Sequence, residues 1–370
     1  MDERKRSNTR FPLEGADLCG ALSKAWYGGW LDEFDENHFL IKAIEGRLER
    51  FQGFNQFLTN DVALYQINKE NFQENFCINF SCKLKSLIDF FGEGNIKSFV
   101  VNQLSAGKEN YDEAQFFRAL SEVSILCFWR KRSTSGKYEP KINGKKNPEA
   151  RFFCNNGVTV DIEVKTPGFK DFEGIQEIVL PFVLLNDIGR ETFNSFCKSH
   201  NLNGMMPRVD KLKDYLNSAA DKFEFVDHTS HMNFLYINWT FSEAMESGYE
   251  EALSLLFHPV NGIINHKDIG INMNVNKDVY EKITAIIVYT ESLSGLMFGD
   301  FRWVWTHGPE GMPHFGIVGM HNPEALFETT GMNPYAKQLT PILLFLTEET
   351  KKEKYFDKVL RIIGDNLLLS

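Results

Sequence analysis

The sequence predicts an α/β protein, and three observations carry that expectation. In 158–165 the apolar Val158, Val160, Ile162 and Val164 alternate with the polar Thr159, Asp161, Glu163 and Lys165, the period-two pattern of a strand with one face in a core. Phe116, Phe117, Leu120, Val123 and Cys127, and later Val209, Leu212, Tyr215, Leu216, Ala219 and Phe223, recur at helical spacing. The stretch 233–239 reads as a strand, and 283–289 is a β-branched run suited to a buried one. A helical N-terminal region and a helical C-terminal tail flank these elements.

With 370 residues, 43% of them hydrophobic, the chain can bury a large core in one big domain or two smaller ones. Its longest apolar runs, 178–185 and 341–346, fall far short of the roughly 20 residues a membrane helix needs. The basic N-terminus has no apolar stretch behind it, so no secretory signal and no membrane partner are expected, and the location should be cytoplasmic. Six cysteines without a CxxC pair fit reduced thiols and argue against a zinc ribbon or disulfide framework. A net charge of -10 gives no global support for nucleic-acid binding.

In chain order, 1–10 is a basic arm, and 18–103 is mainly helical, with amphipathic segments at 38–58 and 84–91. A break at 105–110 precedes the helix that contains Glu113 and Glu122. Glu113 follows Asn110 by three residues beside Asp112, the place for a capping acid. Glu122 instead sits at the margin of the apolar face, among Ala119, Ile125 and Leu126, where a carboxylate is costly unless something binds it. Arg130, Lys131, Arg132, Lys137, Lys141, Lys145 and Lys146 then stand against one acid, Glu139. Such runs usually end as solvated loops, but this one leads into a carboxylate cluster and is a candidate phosphate contact.

A short strand is expected at 138–142, followed by the hairpin strands 149–154 and 158–165 around Asn156-Gly157. A three-residue loop with Gly157 in the left-handed position pairs Cys154 with Val158, Phe152 with Val160, Ala150 with Ile162 and Glu149 with Glu163. A two-residue loop would set Phe152 opposite Asp161 and mix the faces, so the patterning selects the odd-length loop. The connection 166–207 contains an apolar run broken by Pro181; a helix at 208–225 and the strand at 233–239 follow. Beyond these, 241–256 reads as helix, 301–305 as an aromatic strand and 350–369 as an amphipathic helix.

Hydrolysis of a phosphodiester requires charge neutralisation at the phosphate, a hydroxide near neutral pH and a stabilised leaving alkoxide. Carboxylates holding Mg²⁺ supply the first two, and a nearby Lys can orient the water or offset developing charge. Glu149 and Glu163 on neighbouring strands, with Lys165 along the same face at ~7 Å, meet those needs. The residues resemble the PD-(D/E)XK nuclease superfamily: Pro148-Glu149 is similar to its Pro-Asp element, with Glu for Asp, and Glu163-Val164-Lys165 to its Glu-x-Lys element. The resemblance implies a restriction-endonuclease-like αβββαβ core with a mixed sheet across 105–295, carrying an insertion at 166–207, between a helical region 1–104 and a C-terminal extension 296–370 packed on the core. It further implies a Mg²⁺- or Mn²⁺-dependent endonuclease acting on DNA, in restriction or anti-phage defence. Glu149, Glu163 and the Val164 carbonyl would bind metal, Glu122 would be the first-helix carboxylate, Lys165 would be catalytic, and Lys213 or Lys222 would touch substrate. Asp161, on the same face, could compete with Glu149 as a ligand. The rival expectation is a catalytically silent nuclease-fold module for nucleic-acid binding or complex assembly.

His228-x-x-His231 and the histidines at 307, 314 and 321 lack a helical frame or cysteine partners and read as ordinary surface or core residues. Trp303, Trp305, Phe301 and Phe315 could stack on bases, although aromatic strands are more often core. Without a phosphate-binding glycine loop, any NTP-driven step would come from a partner protein, and a homodimer is compatible with the reading.

Overall fold

The computed structural model describes residues 5–13, 17–48, 72–107, 110–142, 146–166, 177–179, 187–199, 203–205, 209–239, 252, 255–256, 262–264, 267–289 and 315–319. Its helices are α1 (Gly20–Tyr27), α2 (Phe39–Ile44), α3 (Phe72–Phe91), α4 (Glu93–Phe99), α5 (Glu113–Arg130), α6 (Asp187–Ser199), α7 (Val209–Lys222), α8 (Lys267–Asn272) and α9 (Lys277–Lys282). The strands are β1 (Ser133–Tyr138), β2 (Ala150–Cys154), β3 (Thr159–Lys165), β4 (Glu177–Val179), β5 (Asn203–Met205), β6 (His231–Asn238), β7 (Ala285–Tyr289) and β8 (Phe315–Gly319). Six of these form one mixed sheet in the order β1-β2-β3-β6-β7-β8, while β4 and β5 make a separate two-stranded sheet. β1, β2 and β3 are antiparallel, β3, β6 and β7 run parallel, and β8 closes the edge antiparallel to β7.

The β2–β3 hairpin has the register that the face pattern requires. Ala150 pairs with Ile162, Phe152 with Val160, and Arg151 with Asp161. The turn closes with Cys154 N–H donating to the Val158 carbonyl at 2.8 Å, and Gly157 takes φ +83°, a conformation in which a β-carbon would be strained. One slip of a residue would turn Asp161 and Glu163 into the apolar layer.

β1 starts five residues earlier than the patterning of 138–142 suggests. Its Ser133–Tyr138 segment pairs with β2 through an irregularity between Ser133 and Ser135, so part of the basic run is strand rather than loop. Gly136 explains how such a polar segment is accommodated. A β-carbon there would stand 2.6 Å from the Phe90 ring and 3.0 Å from the Arg151 carbonyl, so the strand approaches α3 only because that side chain is missing.

Each face of the sheet is covered by its own core. On one side Phe152, Val160, Ile162, Phe234 and Ile287 pack with side chains of α1 to α5. Phe91 of α3 lies 5.5 Å from Phe152, ring to ring, and Trp129 of α5 lies 5.5 Å from Phe234 while its indole N–H donates to the Tyr236 hydroxyl at 3.0 Å. The N-terminal helices therefore belong to the same continuous core as the sheet, and the expected division at 104–105 coincides with no break in packing. On the other side Leu235, Ile237, Ile286 and Val288 pack with Leu212, Leu216 and Ala219 of α7. Of the extension 296–370, the described part is β8.

The expectations for 49–58, most of 241–256, 301–305 and 350–369, and those for Lys145, Pro181, His307, His314 and His321, fall outside the described residues. Among the described residues no helix is long and apolar enough to cross a membrane. All six cysteines are free thiols.

Candidate functional site

β3 determines the site because its second face is polar and yet covered by α7. Asp161 and Glu163 both have no solvent exposure. Glu149 lies in the bend just before β2, where its backbone N–H donates to the Ile162 carbonyl at 2.9 Å and fixes it beside Glu163. The two carboxylates converge on one ammonium: Lys222 Nζ is 3.1 Å from Glu149 Oε1 and 2.6 Å from Glu163 Oε1. Lys165 Nζ approaches the same Glu163 oxygen at 2.5 Å. Glu163 Oε2 is buried without a hydrogen-bond partner among the described residues.

Glu122 of α5 supplies a third carboxyl. The residue as a whole is half-buried, but its carboxyl points inward and accepts from the Tyr138 hydroxyl at 3.2 Å. Burial, then the charges of Glu149 and Glu163, raise its pKa well above the usual carboxylate range. Burial and Glu149 also push Glu163 up, to about 7, against the opposing pull of Lys165 and Lys222. Burial disfavours the Lys222 ammonium, but Glu149 and Glu163 outweigh it and raise its pKa. Glu122 and Glu163 are thereby held nearer their neutral forms than exposed carboxyls would be, chiefly by burial.

Asp161 is committed elsewhere. Arg151, its cross-strand neighbour, grips it with two bonds of 2.6 and 2.7 Å, and His231 Nε2 lies 3.1 Å away. Burial opposes ionisation, yet the Arg151 and His231 contacts more than compensate and hold the carboxyl below its ordinary value. Arg151 continues to Glu224 at 2.9 Å, tying the segment after α7 to the hairpin. In place of the competing ligand that the face pattern allowed, Asp161 is the centre of an ion-pair network, leaving Glu149 as the carboxylate that shares a cation with Glu163. Val164 lies between Glu163 and Lys165, paired with Tyr236 of β6.

The expected phosphate contacts are dispersed. Lys131, Lys137, Lys141 and Lys146 are exposed, with Lys146 3.5 Å from Asp221, whereas Arg130 is half-buried at the end of α5. Arg132 stacks over the Phe128 ring at 3.7 Å. Lys137 pairs with Arg151 in the sheet and so shares the face of Glu163 two strands further out. Lys213 is held by Asp210 at 2.7 Å, away from the carboxylates, while Lys222, expected to reach substrate, lies among them. His228 is tied to Thr284 Oγ1 at 2.8 Å and to the Glu281 carbonyl at 3.0 Å, a structural role like that of His231.

Sequence reasoning missed the Arg151–Asp161 pair and Tyr138. The first was legible, since the register that sets Glu149 opposite Glu163 also sets Arg151 opposite Asp161.

Among the described residues no three His, Cys, Asp or Glu side chains are spaced as a ready-made metal cage. The donor set nevertheless fits Mg²⁺, which is held by one or two carboxylates and completes its shell with water and phosphate oxygens. Glu149 and Glu163 already address one cation position, and the buried Glu163 Oε2 has unused acceptor capacity. In comparisons with known proteins, no protein-family model, no curated protein and no solved structure matches this chain.

Proposed function

We propose that this chain is a Mg²⁺- or Mn²⁺-dependent nuclease, acting on DNA, with a restriction-endonuclease-like core. The observation that carries the reading is the convergence of Glu149 and Glu163 on one cation position with Lys165 beside them. The order α5, β1, β2, β3, α7, β6 supports it, being the αβββαβ order of the PD-(D/E)XK core. A restriction or anti-phage role is the corresponding biological setting.

Glu149 and Glu163 would hold the ion, with the Val164 carbonyl available between Glu163 and Lys165 and Glu122 close enough to respond to its charge. When bound, the ion lowers the pKa of a coordinated water and offsets the charge of the scissile phosphate. Lys165 orients the attacking water and stabilises charge on the phosphoryl oxygens from its place beside Glu163. Exposed Lys137, on the same sheet face, and Lys131, Lys141 and Lys146 nearby in sequence, contribute phosphate attraction that falls with salt.

The test is incubation with plasmid, single-stranded DNA and RNA in Mg²⁺ or Mn²⁺, against EDTA and against Lys165→Ala and Glu163→Ala. The expected outcome is metal-dependent cleavage, reduced by about 100-fold or more in either variant. Cleavage unchanged in both would remove the site assignment, and DNA binding without cleavage would favour the silent nuclease-fold module.

A further inference from the structure

We propose that Lys222 is the resident counter-ion of this site, its ammonium holding the cation position between Glu149 and Glu163 in the metal-free protein and competing with a divalent ion for it. The inference rests on the metal-dependent reading above.

The ammonium is within 3.1 Å of Glu149 Oε1 and 2.6 Å of Glu163 Oε1, on a side chain that is 18% exposed. A divalent ion bound to the same two oxygens would stand roughly 2.0 to 2.6 Å from each, so ion and ammonium cannot occupy the position together. Lys165 differs in kind. It contacts Glu163 at 2.5 Å from two residues along the same strand, and its approach is set by β3 itself. Lys222 arrives from the last residue of α7, and the chain just beyond is anchored by the Glu224–Arg151–Asp161 network. Its backbone is thereby fixed while its four-carbon stem can move the charge.

A reason for such a residue follows from the charge count. Without Lys222, Glu149 and Glu163 would share one ammonium, that of Lys165, in a largely buried site, where unpaired charge is costly. Lys222 supplies the missing positive charge until a metal ion brings its own, and the displaced ammonium is then available to an anionic substrate.

The test uses the full chain and Mn²⁺ alone as the probe. Titration calorimetry compares wild type with Lys222→Met, and acetylation footprinting follows Lys222 in wild type, with exposed Lys24 and Lys85 as internal references. Lys222→Met should bind Mn²⁺ at least about tenfold more tightly, since one competing charge in a low-dielectric site has gone, and should melt at a lower temperature without metal. In wild type, Lys222 should be slow to acetylate without metal and should become reactive in step with Mn²⁺ occupancy while Lys24 and Lys85 stay constant. Equal or weaker Mn²⁺ binding by the variant, or Lys222 reactivity unmoved at saturating Mn²⁺, would overturn the inference and leave the metal-dependent reading standing. Absence of Mn²⁺ binding to both proteins would remove the two together. If the variant does not fold, the wild-type footprint decides.

Discussion

Asp161 and Glu163 are two carboxylates on one strand face, equally buried, and their surroundings separate their roles. Asp161 is gripped by a guanidinium and an imidazole, whereas Glu163 meets two ammonium groups, one of them shared with Glu149, and keeps one oxygen without a hydrogen-bond partner among the described residues. Replacing Arg151 by Met should therefore destabilise the protein by about 3 kcal/mol, because it leaves a buried carboxylate supported by His231 alone. Urea unfolding measures this, and a loss below about 1 kcal/mol would mean that the pair behaves like a screened surface bridge. His38 offers a second residue-scale test. It is fully buried among Phe34, Tyr111 and Phe116, accepts from the Leu40 N–H at Nδ1 and reaches the Leu104 carbonyl from Nε2 at 2.7 Å. That geometry requires the neutral ring with its proton on Nε2, and burial lowers the pKa from 6.5 to about 4 despite the Leu104 bond. Since the unfolded chain binds the extra proton first, the contribution of about 3 kcal/mol is complete above the unfolded pKa and is lost as pH falls from there through the folded value. NMR should find the His38 ring neutral at pH 5, and the pH slope of stability in this window should flatten in His38→Gln; a ring titrating near 6.5 would contradict both.

At the scale of elements, the hairpin was legible because three independent requirements agree on it: turn chemistry, face alternation and the pairing of polar with polar. Gly157 at φ +83° has open space around it, so Gly157→Ala should cost only its backbone strain, about 1 to 2 kcal/mol, without changing the register. An unfolding measurement showing no loss would mean that the loop relaxes to another turn. The sequence pattern places β1 too late in the chain because Ser, Thr and Gly carry no apolar alternation. What makes Ser133–Tyr138 a strand is the space that Gly136 leaves for Phe90 and Phe91, a tertiary fact invisible to local pattern. Lys222 was likewise identifiable as a helix lysine but not as a member of the carboxylate cluster, since its reach depends on how α7 packs across β3.

For the whole molecule, the site is assembled from residues as far apart as Glu122 and Lys222, and the sheet is what unites them. One core joins α1 to α5 to the sheet, so the N-terminal helices support α5 and with it the placement of Glu122. The second core seats α7, which delivers Lys222 to the opposite face. Composition revealed a large core, and the 3.6- and 2-residue periods gave the order of elements, but nothing local in 18–103 announces that those helices complete the layer over β2 and β3. We propose that Glu149, Glu163 and Lys165 form a metal-dependent phosphodiesterase centre. Its most direct measurement is the rate at which supercoiled plasmid is lost in Mg²⁺, for wild type beside Glu163→Gln, a substitution that keeps the side-chain shape. The expected result is cleavage by wild type that EDTA abolishes and that Glu163→Gln lowers by about 100-fold or more; equal rates for the two proteins, or cleavage that persists in EDTA, would contradict it.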